Sequence, residues 1–381
     1  MTPGARAAAA IAVLDRVLAG EPAEKALTNW GRASRFAGSG DRAAVRDLVF
    51  DALRRRSSAA ALGGGLTGRG LVLGLARMSG QEGWFSGEGH APQPPGPGDA
   101  GRDPLPDEAL DVPAWLVPDL RASLGEAFQP VCAALRSRAP VFLRVNLRKA
   151  DLAAAVESLA GDGIVAQPHD LAATALEVVE NARKIQASRA YLGGLVELQD
   201  ASSQAVVEEL PLRDGMTVLD YCAGGGGKSL AMAARAQLAL FAHDAAAHRM
   251  ADLPDRAKRA GVKVTITPRP EAAAPYDLIL VDAPCSGSGS WRRDPEGKWK
   301  ISPQALAMVT KTQAEILDRA APMVRAGGWL AYATCSLLDR ENGAQTRRFL
   351  DRNPGWSCAR ERYFTPLAGG DGFYLALLQA D

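Results

Sequence analysis

Two cysteines stand out among the residues that could do chemistry. Cys285 lies in LILVDAPCSGSG and Cys335 in WLAYATCSLL, each just after a short apolar run that reads as a buried strand. A thiol at the carboxyl end of a parallel strand projects into the crevice where open α/β sheets bind ligands, and two thiols brought to one crevice point to covalent chemistry. A single free cysteine in such a place is ordinarily core filler. Two of them, preceded by Pro or Thr, followed by Ser, and with a glycine-rich loop upstream, argue for more.

One reaction class requires such residues. Carbon 5 of a pyrimidine is a poor nucleophile, and attaching an electrophile there needs prior addition of a thiolate to carbon 6, which turns the ring into an enamine. A group that protonates or hydrogen-bonds ring nitrogen 3 assists the addition, and Asp282, three residues before Cys285, is placed for that task. The proton on carbon 5 must then leave and the thiol must be expelled, a step a second cysteine can assist. Asp282 could instead cap the following turn, and Thr334 and Ser336 read as local backbone partners.

The upstream loop is DYCAGGGGKS. Val218–Asp220 would end a strand, Gly224–Gly227 would turn, and Ser229 would open a helix, the arrangement by which a Rossmann-like sheet brings backbone N–H groups to a nucleotide. Asp244, 16 residues beyond Lys228, falls at the end of the next strand, where a carboxylate can accept from ribose hydroxyls. GGGGKS invites a phosphate-binding P-loop reading, but the first required glycine of that motif falls on Cys222. A nicotinamide dehydrogenase is disfavoured too, because no G-x-G-x-x-G opens the helix and the two thiols would have no task. Lys228 in the first turn opposes the helix dipole, so a ligand partner is expected for it.

These loops need a sheet to carry them. From about residue 195 strands and helices alternate (TVLDYCAGGGGKSLAMAARA, LALFAHDA, YDLILVDAPC, GGWLAYATCS), which predicts a mostly parallel, Rossmann-like α/β domain over 195–381. Before it, PVFLRVN, a helix over Leu152–Ala160 and further strands predict a small α/β module over 107–194. Residues 1–80 read as all-helical: Ile11, Leu14 and Leu18, then Val45, Leu48, Val49, Ala52 and Leu53, recur at helical spacing. Arg42, Arg46, Arg54, Arg55 and Arg56 would decorate the other side of that last helix. Residues 81–106, rich in Gly and Pro, predict a linker or long mobile loop.

Composition sets limits. The 381 residues are 47% hydrophobic and 23% charged, ordinary for a soluble globular chain of two or three domains. Five widely spaced cysteines without CxxC argue against a disulfide framework or a zinc site, and four scattered histidines against a histidine metal cluster. No run is long enough to span a membrane, and the cytoplasm is the expected compartment. Residues 1–80 hold 12 Lys+Arg against 6 Asp+Glu, whereas 81–130 hold 2 against 9. A basic domain beside an acidic stretch is compatible with a nucleic-acid partner. Trp291, Arg292, Arg293, Lys298, Trp299 and Lys300, just after Cys285, predict an RNA-facing loop, unless the tryptophans pack into a core.

In order along the chain, DYCAGGGGK, DAPCSGSG and ATCS resemble the signature blocks of the S-adenosylmethionine-dependent RNA 5-methylcytosine methyltransferases of the Sun/Fmu family. The likeness runs from PAWL at Pro113 to DGFYLAL, through LRVN, QDASSQ and RRDPEGKW. GDRAAVRDLVFDALRRR is similar to the NusB-like RNA-binding domain of the branch acting on bacterial small-subunit rRNA. The resemblance implies Cys335 as nucleophile and Cys285 as the thiol assisting release. It also implies that Cys222, Ala223, Gly224, Gly225, Gly226, Gly227 and Lys228 cradle the methionine end of S-adenosyl-L-methionine, that Asp244 holds its ribose, and that Asp282 lines the pocket, with Arg249 nearby. Catalytic duty falls on Cys335, Cys285, Asp282 and Lys228, with no metal and a monomer expected; the RNA would be 16S rRNA, with tRNA as alternative.

Two positions depart from the family pattern. Gly225 replaces a Pro in the loop, which should loosen it. After Gly261, VTITPRPEAAAP supplies no acid for the adenine before Glu271. That gap keeps a non-catalytic RNA-binding assembly factor in view as a competing class.

Overall fold

A computed structural model describes residues 1–381 and divides into two compact units, Met1–Arg138 with Trp291–Lys300, and Ala139–Ser290 with Ile301–Asp381.

The first unit is helical: α1 Pro3–Leu18, α2 Ala23–Ala33, α3 Ser39–Arg54, α4 Arg56–Gly63, α5 Gly68–Ser79, α6 Val117–Leu124 and α7 Phe128–Leu135. Local sequence sets the helix starts. Thr2 caps α1 by accepting from the Ala5 amide with Pro3 in the first turn, and Thr67 caps α5 the same way through Gly70. The core is the stripe Ala7, Ala10, Val13 and Leu14 of α1 against Val45, Val49, Ala52 and Leu53 of α3 and Leu71–Leu73 of α5. The expected α3 face is therefore the buried one. On α1 the buried stripe runs through the alanines, and Ile11 and Leu18 only flank it.

Three expectations are corrected. The 81–106 stretch is no free linker. Phe85 is buried in the helical core, Arg69 pairs with Asp99 at 2.9 Å, Arg77 donates to the carbonyls of Leu62 and Asp99, and residues 107–138 join the same unit. Gly and Pro limit regular structure there to two short 3-10 turns, Glu82–Trp84 and Pro97–Asp99, but do not prevent attachment. The segment after Cys285 is likewise no open loop: Pro295–Lys300 form a short helix. Trp291 and Lys298 are fully buried in the helical unit, Lys298 Nζ donates to the Arg54 carbonyl at 2.9 Å, and Trp299 Nε1 donates to that of Leu53 at 2.7 Å. Arg54, expected on the solvent side, is buried by the same packing and donates to the Arg292 carbonyl.

The second unit holds two sheets. The smaller has order β2-β3-β1-β4, all antiparallel, from β1 Val141–Val145, β2 Val165–Pro168, β3 Ala175–Glu180 and β4 Val196–Leu198. The helices Leu152–Gly161 and Arg189–Leu192 belong with it, and Leu143, Val145, Leu159, Ile164, Leu176 and Val196 fill the space between. The larger sheet has order β10-β11-β9-β8-β5-β6-β7, from β5 Thr217–Asp220, β6 Ala239–Ala242, β7 Thr265–Ile266, β8 Tyr276–Asp282, β9 Val324–Thr334, β10 Trp356–Phe364 and β11 Phe373–Ala380. Strands β5 to β9 pair in parallel, while β11 runs antiparallel to β9 and β10.

The apolar run LILV is continuous because both faces of β8 are covered. Leu278 and Leu280 pack with Val218, Ala331 and Leu375 on one face; Ile279 and Val281 pack with Leu219, Leu330, Tyr332 and Tyr374 on the other. Strand order reverses between β5 and β8, and such a switch point opens a crevice at the carboxyl ends of its two strands. Those ends carry Asp220 and Asp282.

Candidate active site

The glycine loop leaves β5 and enters the helix Gly227–Arg235. Gly224 and Gly226 have φ of +52° and +76°, and a Cβ on Gly226 would stand 2.2 Å from Leu253 Cδ1. Only glycine fits there without strain. Gly225 has no such restriction. Its expected looseness is countered by Arg256, whose guanidinium donates to the Gly225 carbonyl.

Asp244, at the end of β6, shapes the same loop. Its carboxylate accepts from the Gly224 amide at 2.9 Å, the Ala246 amide at 2.9 Å and Arg249 Nη1 at 3.1 Å. The Ala223 amide is taken by the His243 carbonyl, whereas those of Cys222 and Gly225 donate to no protein acceptor. Cys222 contributes backbone alone: its side chain packs with Leu219 and Tyr276, and burial followed by the nearby Asp220 pushes its thiol far up.

Asp220 is a site residue the sequence reading passed over. It is buried, accepts from Ser229 Oγ at 2.6 Å on one oxygen, and has no partner on the other. Burial pushes its carboxyl up to about 7, with the Asp282 charge adding and Ser229 opposing. A carboxyl ending the switch-point strand just before a glycine turn was the available signal. An orphaned carboxyl oxygen, two unused amides and the Asp244 carboxylate form a polar cradle suited to a nucleoside-bearing cosubstrate.

Lys228 is buried in the first helical turn, and its Nζ sits 2.7 Å from Asp282 and 4.9 Å over the Phe373 ring. Burial pulls its pKa down, but Asp282 and, more weakly, the Cys335 thiol pull it up further, so the amine is held charged. The expected ligand partner of Lys228 is thus first of all Asp282.

The two thiols meet. Cys285 Sγ and Cys335 Sγ are 3.3 Å apart. The hydrogen bond to Cys335, then burial, then the charges of Cys335 and Glu341 push the Cys285 thiol well above its ordinary range. Their loops are joined through the backbone, Gly289 N donating to the Cys335 carbonyl at 2.9 Å and Ala283 N to Ala333 at 2.9 Å. A buried polar network lies beneath. Glu341 accepts from the Ser286 amide at 2.7 Å, from the hydroxyls of Ser286 and Ser336, and from Gln313 Nε2 at 3.1 Å. Ser288 Oγ accepts from Leu337 N at 2.8 Å, and Thr334 Oγ1 donates to Asn342 Oδ1 at 2.6 Å. Ser336 and Thr334 are therefore members of this network rather than local backbone partners only. Glu341 and Gln313 lie in ordinary-looking helical sequence, which gave no signal.

The quoted blocks LRVN and QDASSQ serve the glycine loop. Arg144, 4% exposed, donates to the Gly227 carbonyl at 2.7 Å and to Gln199, while Asn146 Nδ2 donates to the carbonyls of Gly194 and Ala260. They tie the small sheet to the loop and to the helix Leu253–Ala260. After β7, Thr267 to Arg269 offer no carboxylate, as the sequence indicated.

A mostly parallel seven-stranded sheet with a glycine loop at its switch point, beside an antiparallel four-stranded module, defines a Rossmann-like methyltransferase fold. The sequence profile of the 16S rRNA methyltransferase RsmB/F family matches residues 207–379, and that of the ferredoxin-like domain of RsmF/B-like methyltransferases matches 112–186. Ribosomal RNA small subunit methyltransferase B of Salmonella arizonae is 35% identical over 285 residues, 70% of this chain and 66% of the relative; that of Citrobacter koseri is 34% identical over 283. The chain thus spans just under two thirds of these relatives. The crystal structure of PH0851 covers 99% of both chains at a TM-score of 0.76 and 21% identity, and that of NSun6 from Pyrococcus horikoshii with SFG covers 70% of this chain at 0.62 and 16%. These two likenesses are of fold. The chain belongs to the RsmB/F methyltransferase family, the bacterial Sun/Fmu group.

Proposed function

We propose that this protein methylates carbon 5 of a cytosine in 16S ribosomal RNA, using S-adenosylmethionine and a covalent bond between Cys335 and carbon 6 of the base. The observation that carries the reading is the approach of two thiols to 3.3 Å beside the Lys228–Asp282 pair. The names of the relatives support ribosomal RNA over tRNA.

S-adenosylmethionine supplies an electrophilic methyl group on a positively charged sulfur. The amides of Cys222 and Gly225, Asp220 and Asp244 would hold it. Lys228 presents a charged donor and Asp282 an acceptor, the complement of the ring nitrogen 3 and exocyclic amine of cytosine. Asp282, expected as an acid, acts here as acceptor, and Lys228 as the donor that withdraws charge from the ring.

Cys335 sulfur forms a bond to carbon 6, and the displaced π pair makes carbon 5 nucleophilic toward the methyl group. The bound cosubstrate would supply that methyl group and keep the bonding pair on its own sulfur. While Cys335 is ionised, its hydrogen bond and charge keep Cys285 protonated. Once Cys335 is alkylated that charge is gone; Cys285 then gives its own proton to water and, as a thiolate, takes the carbon 5 proton. The released pair re-forms the ring double bond, and the carbon 6–sulfur bond breaks back to Cys335. Bisulfite sequencing of total RNA from cells with and without the gene tests the reading: a single protected cytosine in 16S rRNA is expected to be lost, and no change at any rRNA cytosine would overturn it.

A further inference from the structure

The helical unit contains a cavity of about 570 Å³ lined by Arg56, Ser57, Leu66, Arg102, Glu108 and Trp299, among others. That volume is in the range of small-ligand sites. Its charges are unequal. Arg102 is neutralised by Glu108, both contacts at 2.6 Å, and this pair lowers the Glu108 carboxyl to about 2, with the Leu105 amide assisting. Arg56 has no carboxylate or carbonyl partner; its guanidinium lies 5.0 Å from the centroid of the Trp299 ring. The indole is fixed in turn by its hydrogen bond to the Leu53 carbonyl at 2.7 Å. Burial is the one influence that lowers Arg56.

A half-buried cation without a counter-charge costs free energy that an anion would recover. The cavity residues Arg56, Arg102 and Glu108 sum to a single positive charge, the complement of one phosphodiester. A guanidinium stacked on an indole is also a rigid plane on which a base can rest, with Leu66, 48% exposed, at the rim. An acidic peptide would meet the charge but leave that plane unused. We propose that this cavity binds one nucleotide of single-stranded RNA, its phosphate on Arg56 and its base against the Arg56–Trp299 stack. The inference rests on the RNA-methylating reading above and adds a second point of attachment within the helical unit.

The test uses the full chain and a short labelled single-stranded RNA, followed by fluorescence anisotropy across a salt series. Arg56→Ala is expected to weaken binding about tenfold and to make the salt dependence shallower by about one counterion; Arg56→Lys should recover part of the affinity. Photocrosslinking of wild-type protein to 4-thiouridine RNA should label the peptides carrying Arg56 or Trp299, which does not depend on how any variant folds. Wild-type binding with unchanged Arg56→Ala affinity, or crosslinks confined elsewhere, would overturn the cavity assignment. A wild type that binds no RNA would instead overturn the methylation reading. Competition by cytidine monophosphate at concentrations comparable to the RNA would show a free-nucleotide site and overturn the RNA assignment.

Discussion

The sulfurs of Cys285 and Cys335 lie 3.3 Å apart although 50 residues separate them in sequence. Each ends a loop leaving one of two adjacent parallel strands, β8 and β9, whose register sets Asp282 beside Ala333. The roles proposed for them predict opposite behaviour of the two variants. Cys335→Ala should abolish methyl transfer and form no adduct, whereas Cys285→Ala should form the carbon 6 bond and fail to release it. Denaturing gels of each variant with RNA and S-adenosylmethionine check this: a slow band is expected with Cys285→Ala alone. A slow band with Cys335→Ala would reverse the roles.

The proximity itself can be tested without RNA. A thiol-specific oxidant of the diazenedicarboxamide class, reduced as it takes one hydrogen from each thiol, should join Cys285 to Cys335. Tryptic mass spectrometry should find the two peptides linked, and dithiothreitol should separate them. Linkage of Cys285 to Cys222 instead would contradict the geometry.

Glu341 should prove a positioning residue. Its buried carboxylate holds Ser286 on the Cys285 loop and Ser336 on the Cys335 loop. Glu341→Ala leaves the Ser286 amide unpaired, at about 1–3 kcal/mol, and the hydroxyls of Ser286 and Ser336 with only each other and Ser288 as side-chain partners. Glu341→Gln keeps the shape and one acceptor. It is expected to lower the methylation rate at least tenfold while leaving cofactor affinity within a factor of about two, measured by single-turnover assay and calorimetry. An equal loss of both would reduce Glu341 to general stability.

The legible part of the sequence was the part governed by short-range rules. Strand, glycine turn, helix and the two strand-end cysteines follow from local pattern, and the sheet places them together because parallel strands deliver their carboxyl ends to one edge. Asp220 was missed because its importance comes from a carboxyl oxygen left unpaired by the tertiary fold. Glu341 and Gln313 were missed because their partners are 55 and 29 residues away. The 81–106 stretch and the Trp291–Lys300 segment were misjudged for a related reason: composition reports what backbone a segment can form, whereas their attachment depends on tertiary partners, Arg69 and Arg77 of the preceding helix for the first and Arg54, 238 residues from Arg292, for the second.

The glycine loop offers a paired comparison. Gly226→Ala forces a Cβ to 2.2 Å from Leu253 at a φ of +76° and should cost about 1–3 kcal/mol while weakening cofactor binding. Gly225→Ala meets only the mobile end of Arg256, at 2.8 Å, and should change stability by less than about 1 kcal/mol in either direction. Thermal melts with and without S-adenosylhomocysteine measure both. Equal effects would mean the loop is not held as described.

Lys298 gives the helical unit a pH dependence of definite sign. The amine is fully buried and donates to the Arg54 carbonyl; burial pulls it down to about 7, against Asp111 and Cys132, which raise it, and with Arg54 and Arg136, which lower it further. Unfolding returns it to an ordinary value of 10.5. Between those values the unfolded chain binds the proton and the folded chain does not, so stability from this group rises with pH across that window, at up to about 1.4 kcal/mol per pH unit. Below about 7 both states are protonated and the contribution is flat at its lowest. Lys298→Met removes the titration and keeps the volume. The difference in unfolding free energy between variant and wild type should therefore favour the variant most near pH 7 and shrink toward pH 10. A difference constant across that range would mean that the buried amine keeps its proton, with Asp111 as its true counter-charge.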